Sequence, residues 1–129
     1  RDALPDSAPH LVERADYTRQ GGADAMAALL ERHPDLDAVF VASDLMASGA
    51  LQTLRERGRR VPEDVAVVGF DDLVSISEST DPPLTTVHQD VAEMGRLLAR
   101  LLFDRTEQHS GEDLPSATVP TRLVVRQSA

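Results

Sequence analysis

Val65-Ala66-Val67-Val68-Gly69-Phe70 is an unbroken apolar run with no in-and-out alternation, the pattern of a strand covered on both faces in a parallel sheet. A second run, Ala38-Val39-Phe40-Val41-Ala42, precedes it, and between the two Ala47, Ala50, Leu51 and Leu54 recur at helical spacing. Parallel strands cannot be joined by a tight turn and need a crossover, usually a helix. Strand, helix and strand in this order therefore predict a βαβ unit. The fold class expected is α/β, a doubly wound, mostly parallel sheet with right-handed crossovers.

The remaining segments extend this pattern. A strand is expected near Leu11 and Val12, followed by a helix over Gly22 to Arg32 in which Ala23, Met26, Ala27 and Leu30 share a face and Pro34 forces a stop. Asp44 is placed to cap the helix over Leu45 to Arg57, and Gly58 to end it in a left-handed conformation. Asp71 to Pro83 reads as a polar loop and Thr85 to His88 as a short strand. The next helix has Asp90 and Glu93 as a capping box and an apolar stripe of Val91, Met94, Leu98, Leu101 and Leu102. A polar linker, Glu107 to Asp113, leads to a last strand around Val119 to Val125, whose Pro120 suggests an edge or a crossing segment.

Composition excludes several chemistries. With 129 residues, 41% of them hydrophobic, the chain has room for one compact domain. It has no cysteine, so disulfides and thiolate metal sites are excluded, in keeping with a reducing compartment. It has no lysine either, which removes Schiff-base catalysis and the phosphate-loop lysine. The net charge is -9 and the 13 basic residues, all arginine, are scattered, a poor basis for binding nucleic acid. No apolar run approaches the ~18 residues of a membrane span. With Arg1 in place of an initiator methionine and no leader, the chain is expected to be part of a longer one.

In open α/β sheets ligands bind beyond the carboxyl ends of the strands. Tyr17, Ser43-Asp44, Asp71-Asp72 and His88-Gln89 stand at those ends. Carboxylates that accept hydroxyl protons, with an aromatic face to cover a ring, suit a polyol, and a nucleobase could use the same groups. The plainer alternative is that Asp44 only caps a helix, Asp71 and Asp72 only form a turn, and Tyr17 only packs. Ser43 lacks a nucleophile elbow and no histidine is placed by a motif to activate it, which disfavours acyl transfer. His10, His33, His88 and His109 have no metal-ligand spacing, and magnesium on Asp44, Asp71 and Asp72 would lack the usual phosphate-cradling loop. Neither a metal nor a cofactor is expected.

Three blocks carry a family likeness: Val41-Ala42-Ser43-Asp44-Leu45-Met46-Ala47-Ser48-Gly49-Ala50-Leu51, Val61-Pro62-Glu63-Asp64 running on through Phe70-Asp71-Asp72, and Pro82-Pro83-Leu84-Thr85-Thr86-Val87-His88-Gln89. In this order and spacing they resemble the lactose-repressor (LacI/GalR) family of transcription regulators, as does the closing Val119 to Ser128 segment. The resemblance implies a periplasmic-binding-protein-like fold of two α/β subdomains with an effector in the cleft between them. Residues 1–89 and 114–129 would form the C-terminal subdomain, and 90–106 a helix of the otherwise absent N-terminal subdomain. Tyr17 would stack on the effector, Asp71 would bind its hydroxyl or amine groups, and Gln89 would mark the crossover. Ser43, beside Asp44, stands where the family usually has an effector-binding asparagine.

The resemblance further implies a cytoplasmic homodimeric regulator that is not an enzyme and that senses a small molecule, a sugar or derivative, or alternatively a nucleobase. DNA would be contacted only through a helix-turn-helix lying before this segment, and no membrane would be involved. The alternatives are a periplasmic sugar-binding protein of a transporter and a module for dimerisation alone. The leucine stripe after Asp90 is expected to pack on a second copy or to fold back on its own sheet.

Overall fold

The computed structural model describes residues 9–107 and 117–129. Its elements are α1 (Arg19–Arg32), β1 (Ala38–Phe40), α2 (Asp44–Glu56), β2 (Ala66–Asp71), α3 (Val74–Ser77), β3 (Thr85–Gln89), α4 (Val91–Glu107) and β4 (Thr121–Val124). The sheet order is β1-β2-β3-β4. β1, β2 and β3 are parallel, with Phe40 opposite Val68 and Asp71 opposite His88, while β4 runs antiparallel to β3 along the edge. The mostly parallel α/β sheet and the edge position of the last strand are thus as expected.

Helices α1 and α2 pack on each other and on one face of the sheet. Met26, Leu29, Leu30, Ala47, Ala50, Leu51, Leu54, Val65, Val67 and Leu84 form the core. The strand run containing β2 was expected to be covered on both faces, yet its residues alternate, with Val67 and Gly69 buried and Ala66, Val68 and Phe70 only half-buried. On the less covered face Phe40 meets Phe70 edge to face, ring centroids 6.5 Å apart, and remains 61% exposed. The reason is topological. Among the described residues β2 and β3 are joined by a loop and the single turn of α3, so no helix is laid on that face by this crossover.

Three local expectations change. Pro9–Leu11 is a single 3-10 turn followed by unpaired chain, not a strand, because Leu11 to Ala15 stand off from β1 across an apolar cavity of about 590 Å³ and find no strand to pair with. The cap of α2 is Ser43, whose Oγ accepts from the Met46 N–H at 3.2 Å, and Asp44 is the first helical residue. The stripe of α4 does not fold back on its own sheet: Val91, Leu98 and Leu102 are 59%, 63% and 62% exposed in the single chain. Asp90 does cap α4, accepting from the Glu93 N–H at 2.8 Å, and Gly58 follows α2 with φ 71°. Of the polar linker expected over Glu107 to Asp113, the part after Glu107 lies outside the described residues.

The C-terminal segment is bolted to the sheet by Ser128, which is fully buried. Its Oγ donates to the Val67 carbonyl at 2.6 Å and accepts from the Thr85 N–H at 2.8 Å, while its own carbonyl accepts from the Val67 N–H at 2.7 Å. Ser128→Ala would orphan one buried donor and one buried acceptor, so a loss of roughly 1–3 kcal/mol is expected. A lower urea midpoint at unchanged slope would register it.

Candidate functional site

Because β1 to β3 are parallel, their carboxyl ends lie at one edge, and the helices that enter or leave there bring Tyr17, Ser43 and Asp44 to the same edge. Tyr17 precedes α1. Asp16 accepts from the Thr18 N–H at 3.1 Å and from its hydroxyl at 2.6 Å, while Thr18 caps α1 by accepting from the Gly21 N–H at 2.9 Å. This Asx turn holds Tyr17 at φ 64° with its ring 65% exposed, on the border of the apolar cavity beside β1.

Asp44 is fully buried, and both carboxylate oxygens are engaged: the Thr86 hydroxyl donates to Oδ1 at 2.6 Å and the Leu73 N–H to Oδ2 at 2.8 Å. Burial pushes its pKa above the ordinary value. These two hydrogen bonds oppose the shift, and the charges of Asp71 and Asp72 add to it. Asp44 thus ties α2 to β3 and to the chain leaving β2. Ser43 Oγ accepts the Met46 N–H of the helix cap, which leaves its own proton to donate.

Asp71 differs. Half-buried at the end of β2, it accepts from Gln89 Nε2 at 2.7 Å, and its backbone sits at φ 114°. For a residue with a Cβ such a backbone costs on the order of 1–3 kcal/mol and persists only where its surroundings over-determine it. Tyr17, Asp71 and Asp72 are the positive-φ residues other than glycine among the described ones, and all three lie at this edge. The structure thus joins Asp71 to Gln89, places Tyr17 on the same edge, and engages Ser43 and Asp44 in hydrogen bonds within the chain.

One cluster was missed in the sequence. Asp72, its side chain 7% exposed, accepts from Arg126 Nη2 at 2.7 Å, lies 3.0 Å from His88 Nδ1, and accepts from the Ser77 hydroxyl at 3.3 Å. Burial alone would raise its pKa, but the Arg126 hydrogen bond and charge, with His88 and Ser77, outweigh burial and hold it below the usual carboxylate range. The available signal was Arg126 itself, a cation closing the apolar Leu123-Val124-Val125 run, since a buried arginine demands a carboxylate.

A family model described as a periplasmic binding protein-like domain matches residues 1–129. The chain belongs to this family. Within it the resemblance to the lactose-repressor regulators holds. The HTH-type transcriptional regulator CelR of Thermobifida fusca is 51% identical over 118 residues, which cover 92% of this chain and 34% of that protein. The HTH-type transcriptional repressor CytR of Escherichia coli (strain K12) is 39% identical, covering 93% and 35%. Among solved structures, a transcriptional regulator CelR–cellobiose complex superposes with TM-score 0.89 at 47% identity, covering 99% of this chain and 38% of that one. A LacI family regulator from Arthrobacter sp. FB24 in complex with lactose gives TM-score 0.74 at 38% identity, over 88% and 43%. The periplasmic binding protein-like chain thus spans about a third of the length of the curated relatives it matches. None of its described helices is long and apolar enough to cross a membrane.

Proposed function

We propose that this chain is part of the effector-sensing region of a sugar-responsive, LacI-type transcription regulator. The observation that carries the reading is the Asp71–Gln89 pair, held at the carboxyl edge of the sheet with Asp71 in a strained backbone. A carboxylate there accepts hydroxyl protons of a sugar, Gln89 orients it through Nε2 while leaving Oε1 as an acceptor, and the Tyr17 ring covers an apolar ring face. Ser43 and Asp44 shape the floor. Relatives solved with cellobiose and lactose support a saccharide as the class of ligand.

Residues 1–89 and 114–129 form one subdomain in this reading, and the helix over 90–106, which stands away from the sheet, belongs with a second. Ligand in the cleft favours one arrangement of the two, and a homodimer passes that choice to a helix-turn-helix that reads DNA in the cytoplasm. No catalysis is involved. A transporter's binding protein would share the cleft, but the relatives named above are regulators.

The test is an amide-shift titration of the ¹⁵N-labelled chain with cellobiose, lactose, ribose and adenine at millimolar concentrations. A saturable response centred on Asp71 and Gln89 is expected for a saccharide, and Asp71→Ala is expected to weaken it about tenfold or more, the worth of one hydrogen bond to a charged acceptor. No saturable response to any of the four would overturn the reading.

A further inference from the structure

We propose that Asp72, Arg126 and His88 are positioning residues that decide which of the two adjacent carboxylates faces the ligand; this rests on the reading of Asp71 as the carboxylate that binds it. Three successive residues leaving β2 are each pinned by a different partner. Asp71 is held by Gln89, Asp72 by Arg126, His88 and Ser77, and the Leu73 N–H by Asp44. His88 stands opposite Asp71 in the β2–β3 register. Successive side chains of a strand point to opposite faces, so His88 and Gln89 draw the two carboxylates apart, Asp72 inward and Asp71 to the edge.

Arg126 is the fixed point of this arrangement. It lies 54 positions beyond Asp72 in the chain, and its side chain is 14% exposed. Its Nη1 donates to the Leu84 carbonyl at 2.9 Å, and its backbone N–H to Thr85 Oγ1 at 2.9 Å. An anchor held at two points besides Asp72 keeps Asp72 at φ 56°, and Asp72 in turn holds its neighbour at φ 114°, outside the wells that side-chain-bearing residues prefer. Without the anchor the strain at Asp71 has an outlet, and the two carboxylates become interchangeable. Affinity for the ligand is therefore written partly in the C-terminal segment.

The experiment compares the wild-type chain with Asp72→Asn/Arg126→Gln, which removes both charges while leaving a hydrogen-bonding pair, and with Arg126→Lys. Circular dichroism establishes that each is folded. The HN–Hα coupling and ¹³Cα shift of Asp71 report its φ directly, and cellobiose titration reports Kd. In the folded double variant Asp71 is expected to leave positive φ and Kd to rise about tenfold or more, with Arg126→Lys recovering part of the loss. A folded double variant that keeps Asp71 at positive φ and binds cellobiose as tightly as the wild type would overturn the proposal. If the wild type gives no response to cellobiose, the ligand reading is what fails, and the Asp71 coupling still decides whether the anchor sets the backbone.

Discussion

Gly49→Ala is expected to lower stability by ~3 kcal/mol or more, beyond the usual range for surface changes, because the added methyl has nowhere to go. A Cβ on Gly49 would run into the Arg19 carbonyl oxygen, with the Arg19 carbonyl carbon and the Ala23 nitrogen at 2.9 Å. On the facing helix a Cβ on Gly22 would stand 2.7 Å from the Met46 carbonyl carbon and Cα. Backbone meets backbone at this crossing of α1 and α2, so no rotamer change relieves the clash. The helices must separate, and Met26, Ala50 and Leu54 lose contacts that a close-packed core cannot replace. Thermal unfolding should show a fall in Tm of about 10 °C. Gly95→Ala is the control, since nothing lies within 4 Å of a Cβ there. In the helix α4 that change is expected to raise stability by roughly 0.5–1 kcal/mol, and equal effects at the two positions would refute the close-approach account.

The same crossing shows what sequence periodicity can and cannot convey. Ala47, Ala50, Leu51 and Leu54 announce a helix and its buried face, since burial repeats with the helical turn. That Gly49 on this helix touches another backbone depends on where α1 lies, which no local pattern encodes. The parallel strands were legible for a like reason, because an apolar run without alternation has few other uses. Leu11 and Val12 carried a weak version of that signal, but a strand exists only with a partner, and here a cavity separates them from β1. At the edge, Asp71 and Gln89 were picked out by standing at strand ends, and Tyr17 by following an expected strand that does not form. The cap fell to Ser43 rather than Asp44, a shift of one residue that periodicity does not resolve. The Asp72–Arg126 contact joins residues distant in the chain, and only the fold brings them together.

Arg126→Ala is the second large effect expected, and its pH dependence identifies its origin. Removing the guanidinium leaves the Asp72 carboxylate, 7% exposed, facing only His88 and the Ser77 hydroxyl. Breaking a buried pair on one side costs ~3–5 kcal/mol, most of it the penalty of the charge left behind. The partners of Asp72 hold its folded pKa below the unfolded value of about 3.9. Its ionised form therefore contributes stability at every pH above about 4, and that contribution is lost as pH falls through the depressed folded value. In Arg126→Ala the Arg126 hydrogen bond and charge are gone and burial is opposed only by His88 and Ser77, so Asp72 takes up its proton at higher pH than in the wild type. The stability gap between the two proteins should then be full at pH 7 and close progressively in acid, as pH falls through the variant's Asp72 titration toward the depressed wild-type one. Chemical denaturation at a series of pH values gives the gap directly. A gap that stays constant into acid would mean that Arg126 acts through packing of its aliphatic stem and its bond to the Leu84 carbonyl, with no electrostatic share, whereas closure would tie the stability of the C-terminal segment to the carboxylate beside the binding edge.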